Sequence, residues 1–97
     1  MILEHAILSI RPGSEASFEA AFPRAILHLA GSGGYISHAL RRSIETPNRY
    51  HLLVYWQTLE DHTEGFRGSV SFVQWRAIIS PFSDAPPVVE HSRLIAD

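Results

Sequence analysis

Apolar positions alternate in four stretches of the chain and recur at helical spacing in three others. Ile2 to Ile10 is apolar and β-branched with polar residues interspersed, which predicts a first strand stopped by Arg11-Pro12-Gly13. Phe18, Phe22, Ala25, Ile26 and Leu29 then fall on one face of a helix. Ser14 is placed to cap it, and Glu15 suits the positive end of the helix dipole. Pro23 lies inside this pattern; it removes a backbone donor and crowds the preceding turn, so a kink or break is expected there. Gly31-Ser32-Gly33-Gly34 ends the helix.

Tyr35 to Ile44 and Tyr50 to Trp56 read as strands, and the short Thr46-Pro47-Asn48 turn between them makes a hairpin. Thr58 is the next N-cap, with Glu60 and Asp61 in the first turn and Leu59, His62 and Phe66 on one helical face. Gly68 stops that helix. A further helix starts at Ser69 or Ser71, the latter forming a capping box with Gln74, and carries Phe72, Trp75 and Ile79 as its apolar stripe. Pro81, Pro86 and Pro87 mark a loop before a last strand from Val88 to Ile95. The order β-α-β-β-α-α-β is that of a ferredoxin-like α+β fold, an antiparallel sheet with helices on one face, in a single domain spanning residues 1–97.

The strands carry a second message. Tyr50, Leu52, Val54 and Trp56 point one way while Leu53 and Tyr55 point the other; Ile2, Ala6, Leu8 and Ile10 likewise oppose Leu3 and Ile7. Helices cover one face only, and an antiparallel sheet with a solvated face alternates apolar with polar. An uncovered apolar face is rare on a monomer, so a homodimer packed sheet against sheet is expected.

Composition narrows the function classes. Net charge is −2, and the eight basic residues, all arginine, are scattered apart from Arg41-Arg42, which leaves no patch for a nucleic-acid partner. With no cysteine there is no thiolate nucleophile and no Cys-ligated metal. Glu4 interrupts the first apolar run early and no basic segment precedes it, unlike a signal peptide, and no apolar stretch approaches the ~20 residues of a membrane span. A cytoplasmic protein is the expectation.

Six histidines stand out, at positions 5, 28, 38, 51, 62 and 91. None has the HxH, HxxxH or HExxH spacing that places imidazoles around one metal, and no metal is expected. His5, His51 and His91 fall on strands that neighbour one another in this fold, where they either converge or make separate hydrogen bonds at the sheet. His62, on the same helical face as Phe66, is either a general base titrating near neutrality or a histidine hydrogen-bonded at the rim of the core. Tyr35, Phe66, Phe72 and Trp75 either fill the core or line a pocket between helices and sheet suited to a flat ligand. Arg41 and Arg42 alternate across their strand; one pairs with Glu45 or anchors an anion. No GxSxG elbow or phosphate-binding glycine loop is present.

The strand ending in Trp56, followed by Thr58-Leu59-Glu60-Asp61-His62, Gly65-Phe66-Arg67-Gly68-Ser69 and Phe72-x-x-Trp75-Arg76, resembles the antibiotic biosynthesis monooxygenase family. The resemblance implies a dimeric α+β barrel and, for members acting on polyketide phenols, oxidation by O2 without flavin, haem or metal. It therefore implies a monooxygenase for a small aromatic or quinone-type compound, with no cofactor. The family's residue roles do not carry across; the reading of the residues themselves makes His62 the proton acceptor, with Tyr35, Phe66, Phe72 and Trp75 shaping the site. Haem-cleaving relatives use a strand-1 asparagine, a middle-helix tryptophan and a last-helix histidine. Those places correspond here to Ala6, Phe66 and Trp75, so haem cleavage is not implied. The alternative is a non-catalytic, dimeric small-molecule-binding or stress-response protein of the same fold. An open cavity with a titratable group facing it separates the two.

Overall fold

The computed structural model describes residues 1–97. Strands β1 (Ile2–Ser9), β2 (Tyr35–Arg42), β3 (Arg49–Trp56) and β4 (Val88–Ser92) form one antiparallel sheet in the order β2-β3-β1-β4. Helix α1 (Glu15–Ala30) follows β1, and helix α2 (Val70–Ile79) precedes β4. This is the ferredoxin-like α+β arrangement expected from the element order. No helix is long and apolar enough to cross a membrane.

Alternation along the strands sets the two faces. Glu4, Ala6, Leu8 and Ile10 face the helices with Tyr50, Leu52, Val54 and Trp56. Phe18, Phe22, Ala25, Ile26 and Leu29 of α1 close over them. Burying each large side chain contributes about 1.5–3 kcal/mol, so this slab dominates stability. The opposite face carries Leu3, Ile7 and Leu53, half-buried, and Tyr55, 39% exposed.

Several boundaries differ from the sequence expectation for local reasons. α1 runs through Pro23 without a break, because Pro23 is exposed and the carbonyl it leaves free belongs to the solvent-facing Glu19. Ser14 occupies the N-cap without a side-chain cap; the Glu15 carboxylate instead accepts from Gly13 N–H at 2.7 Å. α2 is capped by Ser69, whose hydroxyl accepts from Phe72 N–H at 3.2 Å, and the Ser71–Gln74 box is not used because the helix has already begun. β4 ends at Ser92, where its ladder with β1 closes at the Leu3–Ser92 pair. Arg42 pairs with Glu19 across to α1 at 3.3 Å, not with Glu45.

The second predicted helix is the largest departure. Asp61–Phe66 is a π-helical turn, with Arg67 N–H donating to the His62 carbonyl at 3.1 Å. Thr58 and Asp61 start it reciprocally: Asp61 N–H donates to Thr58 Oγ1 at 3.2 Å, and Thr58 N–H donates to Asp61 Oδ2 at 3.1 Å. The Asp61 carboxyl can lie there only because Gly34, at φ 84°, has no Cβ; one would stand 2.2 Å from it. The wider turn stacks His62 on Phe66 (6.2 Å, 23°) and turns Leu59 outward, so the face expected to hold all three keeps two.

Candidate active site

The chain buries two polar side chains, Glu4 at 4% exposure and His62 at 3%, and the fold brings them together. Glu4 stands on β1 at the helix-facing register, opposite His91 on β4 and Val54 on β3. Its Oε1 accepts from the Trp56 indole N–H at 2.9 Å and lies 3.4 Å from His62 Nε2. His62 Nδ1 lies 2.8 Å from His91 Nε2. The His62 ring is also stacked on Trp56, with centroids 5.3 Å apart and planes at 26°. A carboxylate, two imidazoles and an indole are thus joined in one chain of contacts.

The environment sets their charges. Burial pushes the Glu4 carboxyl up from its ordinary value, opposed by the Trp56 hydrogen bond and the Arg67 guanidinium. Burial, then the Arg67 charge and His91, lower His62 to about 4. His91 is lowered by burial, then by Arg67 and His5. Both imidazoles are therefore neutral at pH 7, and each keeps one N–H and one bare nitrogen. An ionised Glu4 can only accept, so its charge, 3.4 Å away, favours the His62 proton on Nε2. His62 Nδ1 is then bare and accepts from His91 Nε2–H.

Glu4 and His62 open onto a cleft of about 840 Å3 between sheet and helices. Ala6, Leu8, Leu52 and Val89 form its sheet wall, and Phe66, Phe72, Trp75 and Ile79 its helix wall. The space exists because α2 leans on α1, with Trp75 packed edge-on to Phe22 at 6.2 Å, and stands off the sheet. Arg67 and Arg76 lie at the rim, with Arg76 over the Phe72 ring at 5.4 Å. Glu4 Oε2 takes no hydrogen bond from the protein, and no buried polar atom is left without a partner, so Oε2 is the oxygen in contact with the cleft. His62 Nδ1 is engaged by His91, while Nε2 stands 3.4 Å from Glu4 Oε1, at ion-pair distance. The free proton-accepting atom is on the carboxylate, with the imidazole behind it.

Of the expected site residues, His62, Phe66, Phe72 and Trp75 line the cleft. Tyr35 does not: it packs edge-on to Trp56 at 6.3 Å, and its hydroxyl pairs with His38 Nδ1 at 2.6 Å. His5, His51 and His91 are not brought together. His5 and His51 stand on the outer face, His5 bonded to Ser92 Oγ at 2.7 Å, while His91 points to the helix side. Glu4 is the site residue that sequence reasoning passed over. The signal was there: strand alternation puts position 4 on the same face as Ala6 and Leu8, making it a carboxylate in a core register.

The sequence profile of the antibiotic biosynthesis monooxygenase family matches residues 1–78. The chain is 47% identical over 91 residues to the uncharacterised protein YczJ of Bacillus subtilis strain 168, covering 94% of this chain and 96% of that protein. A solved protein of Bordetella bronchiseptica, described as a candidate antibiotic biosynthesis monooxygenase, superposes with a TM-score of 0.94 at 38% identity, over 98% of this chain and 97% of that one. SnoaB of Streptomyces nogalater, a cofactor-independent oxygenase, shares the fold at a TM-score of 0.82 and 17% identity, over 99% of this chain and 94% of its own. With a fold, a motif-bearing segment and a family profile in agreement, the chain belongs to the antibiotic biosynthesis monooxygenase family.

Proposed function

We propose that this protein is a cofactor-independent monooxygenase that oxidises a small aromatic or quinol-type compound with O2. The observation that carries the reading is the buried Glu4 carboxylate, backed by neutral His62, facing a large apolar cleft. A scaffold protein gains nothing from desolvating a carboxylate beside empty space, whereas a general base near neutral pH needs such an environment. The fold shared with SnoaB, a cofactor-independent oxygenase, supports the same class.

In this reading Glu4 Oε2 takes the hydroxyl proton of the substrate, and the Arg67 and Arg76 guanidinium groups favour the resulting anion. The anion passes one electron to O2, and the radical and superoxide combine at a ring carbon to form a peroxide. Glu4 returns its proton to the peroxide, and loss of the proton on that ring carbon breaks the O–O bond, leaving a carbonyl on the ring and a hydroxide that takes up the lost proton as water. The proton lodged on Glu4 returns in that water, so one substrate and one O2 yield one quinone and one H2O. Phe66, Phe72 and Trp75 hold the ring flat and exclude solvent.

The test is O2 uptake with a naphthohydroquinone as probe, above its spontaneous oxidation. Wild type accelerates uptake, and Glu4→Gln loses about 10²- to 10⁴-fold, the usual share of a general base. Equal rates in the two proteins would refute the role of Glu4.

We also propose a homodimer through the outer sheet face, from the apolar side chains of Leu3, Ile7, Leu53 and Tyr55 there. Sedimentation equilibrium should give twice the chain mass, and Leu53→Arg should halve it. A monomeric wild type at micromolar concentration counts against the dimer.

A further inference from the structure

Two arginines border the cleft, and they stand differently toward the base. The charge of Arg67 acts on Glu4, His62 and His91 alike, so it lies beside them. Arg76 is not among the charges that act on any of the three. The chain path gives the reason. Arg67 ends the π turn that carries His62, whereas Arg76 stands well along α2. From Val70, the first residue of α2, the helix rises about 9 Å to Arg76.

Arg76 has no polar partner within the chain. The ion pairs are Arg42–Glu19 and His62–Glu4, and Asp84, the acidic side chain at the cleft rim, pairs with neither rim arginine. What Arg76 does touch is the Phe72 ring, over which its guanidinium sits at 5.4 Å. That contact uses the flat face of the cation and leaves free the N–H donors that lie in its plane. Phe72, Arg76 and Ser80 follow one another at four-residue spacing and all border the cleft, so one wall presents a ring, a guanidinium and a hydroxyl to it. A planar fork of donors matches the two oxygens of a carboxylate. A cleft of about 840 Å3 also exceeds the needs of a single phenol ring.

We propose that the cleft selects aromatic acids: a fused ring system with its hydroxyl at Glu4 and a carboxylate held by Arg76 at the far end. The position of the hydroxyl rests on the oxygenase reading; the capture of the carboxylate does not. Both guanidinium groups favour a phenolate, but Arg67 is the one beside Glu4. That leaves Arg76 for a group that is anionic before the reaction starts.

The test is calorimetric titration at pH 7 with 6-hydroxy-2-naphthoate and, as its neutral counterpart of the same shape, 6-hydroxy-2-naphthamide. Wild type should bind the acid about 10-fold or more tightly than the amide, as hydrogen bonds to a charged group are expected to give. Arg76→Gln should bring the two within about 2-fold of each other, and Arg67→Gln should keep the preference. Both arginines are exposed, so neither substitution disturbs the core. Equal affinities in wild type, no binding of either ligand, a preference that survives Arg76→Gln, or one that is lost in Arg67→Gln overturns the proposal. Neither ligand needs to turn over, so the outcome is independent of O2 uptake. Should naphthohydroquinone show no uptake above background, the oxygenase reading falls and the ratio of affinities still decides the selection of aromatic acids.

Discussion

The helix-facing side of the sheet holds two carboxylates that each accept from a buried aromatic group, and they are opposites. On the α1 half, Glu19 accepts from the Tyr50 hydroxyl and pairs with Arg42 at 3.3 Å, with both charged side chains about half exposed. On the α2 half, Glu4 accepts from Trp56, is buried, and has only a neutral imidazole beside it. Beneath the Tyr50–Glu19 pair the core is filled: Phe18 packs on Phe22 and tilts against Tyr50 at 4.7 Å. Around Glu4 it is open. A carboxylate with a partner cation at a packed edge serves the fold; one that is desolvated beside a cleft costs stability, the environment that the proposed general base requires.

The sharpest way to break this contrast is to remove packing from each half. Phe18→Ala empties a fully buried site and should cost about 3–5 kcal/mol in urea unfolding. Phe72→Ala removes a half-buried ring that already borders open space, and should cost less than half of that while raising KM for the probe. Equal stability losses would mean that the cleft is as tightly packed as the α1 half.

The pH dependence of stability separates Glu4 from His62. The folded pKa of His62 is depressed, so its contribution is present above 6.5 and is lost as pH falls toward about 4. Glu4 is raised above 4.5, so its contribution is present at low pH and is lost as pH rises through its folded value. The two slopes oppose each other in wild type. Glu4→Gln should leave stability rising with pH from about 4 to 6.5, and His62→Gln should leave it falling over the start of that window. Denaturant melts at several pH values check both signs, and unchanged profiles would place the two groups in solvent.

The smallest effect belongs to the partnered carboxylate. Glu19→Gln should cost about 1 kcal/mol, the worth of an ordinary hydrogen bond with a surface ion pair, and leave O2 uptake as in wild type. It should also bring the Tyr50 hydroxyl down from about 12, readable in an ultraviolet titration, since Glu19 helps hold it there.

Much of the fold was legible because it follows from periodicity. Period-two runs in Ile2–Ile10 and Tyr50–Trp56, and Phe18 to Leu29 at helical spacing, needed no tertiary information to give strands, helix and facing sides. His62, Phe66, Phe72 and Trp75 were legible as a cluster for the same reason. Less visible was the π turn at Asp61–Phe66, since its wider winding depends on Asp61 reaching across Gly34, a contact between segments far apart in sequence. Tyr35 carried a pocket-like aromatic signal, but its strand turns it toward His38 and the back of Trp56.

The sequence by itself determined the order of elements, the two-faced sheet and the inward register of Glu4. Local propensity and alternation depend only on near neighbours, and they fix these features. Only the tertiary structure decided that α2 leans on α1 and leaves a cleft, and that β1, β4 and the π turn bring Glu4, His91 and His62 into one line. Those outcomes depend on how distant segments pack and on the desolvation that packing imposes, and neither is written in the spacing of residues along the chain.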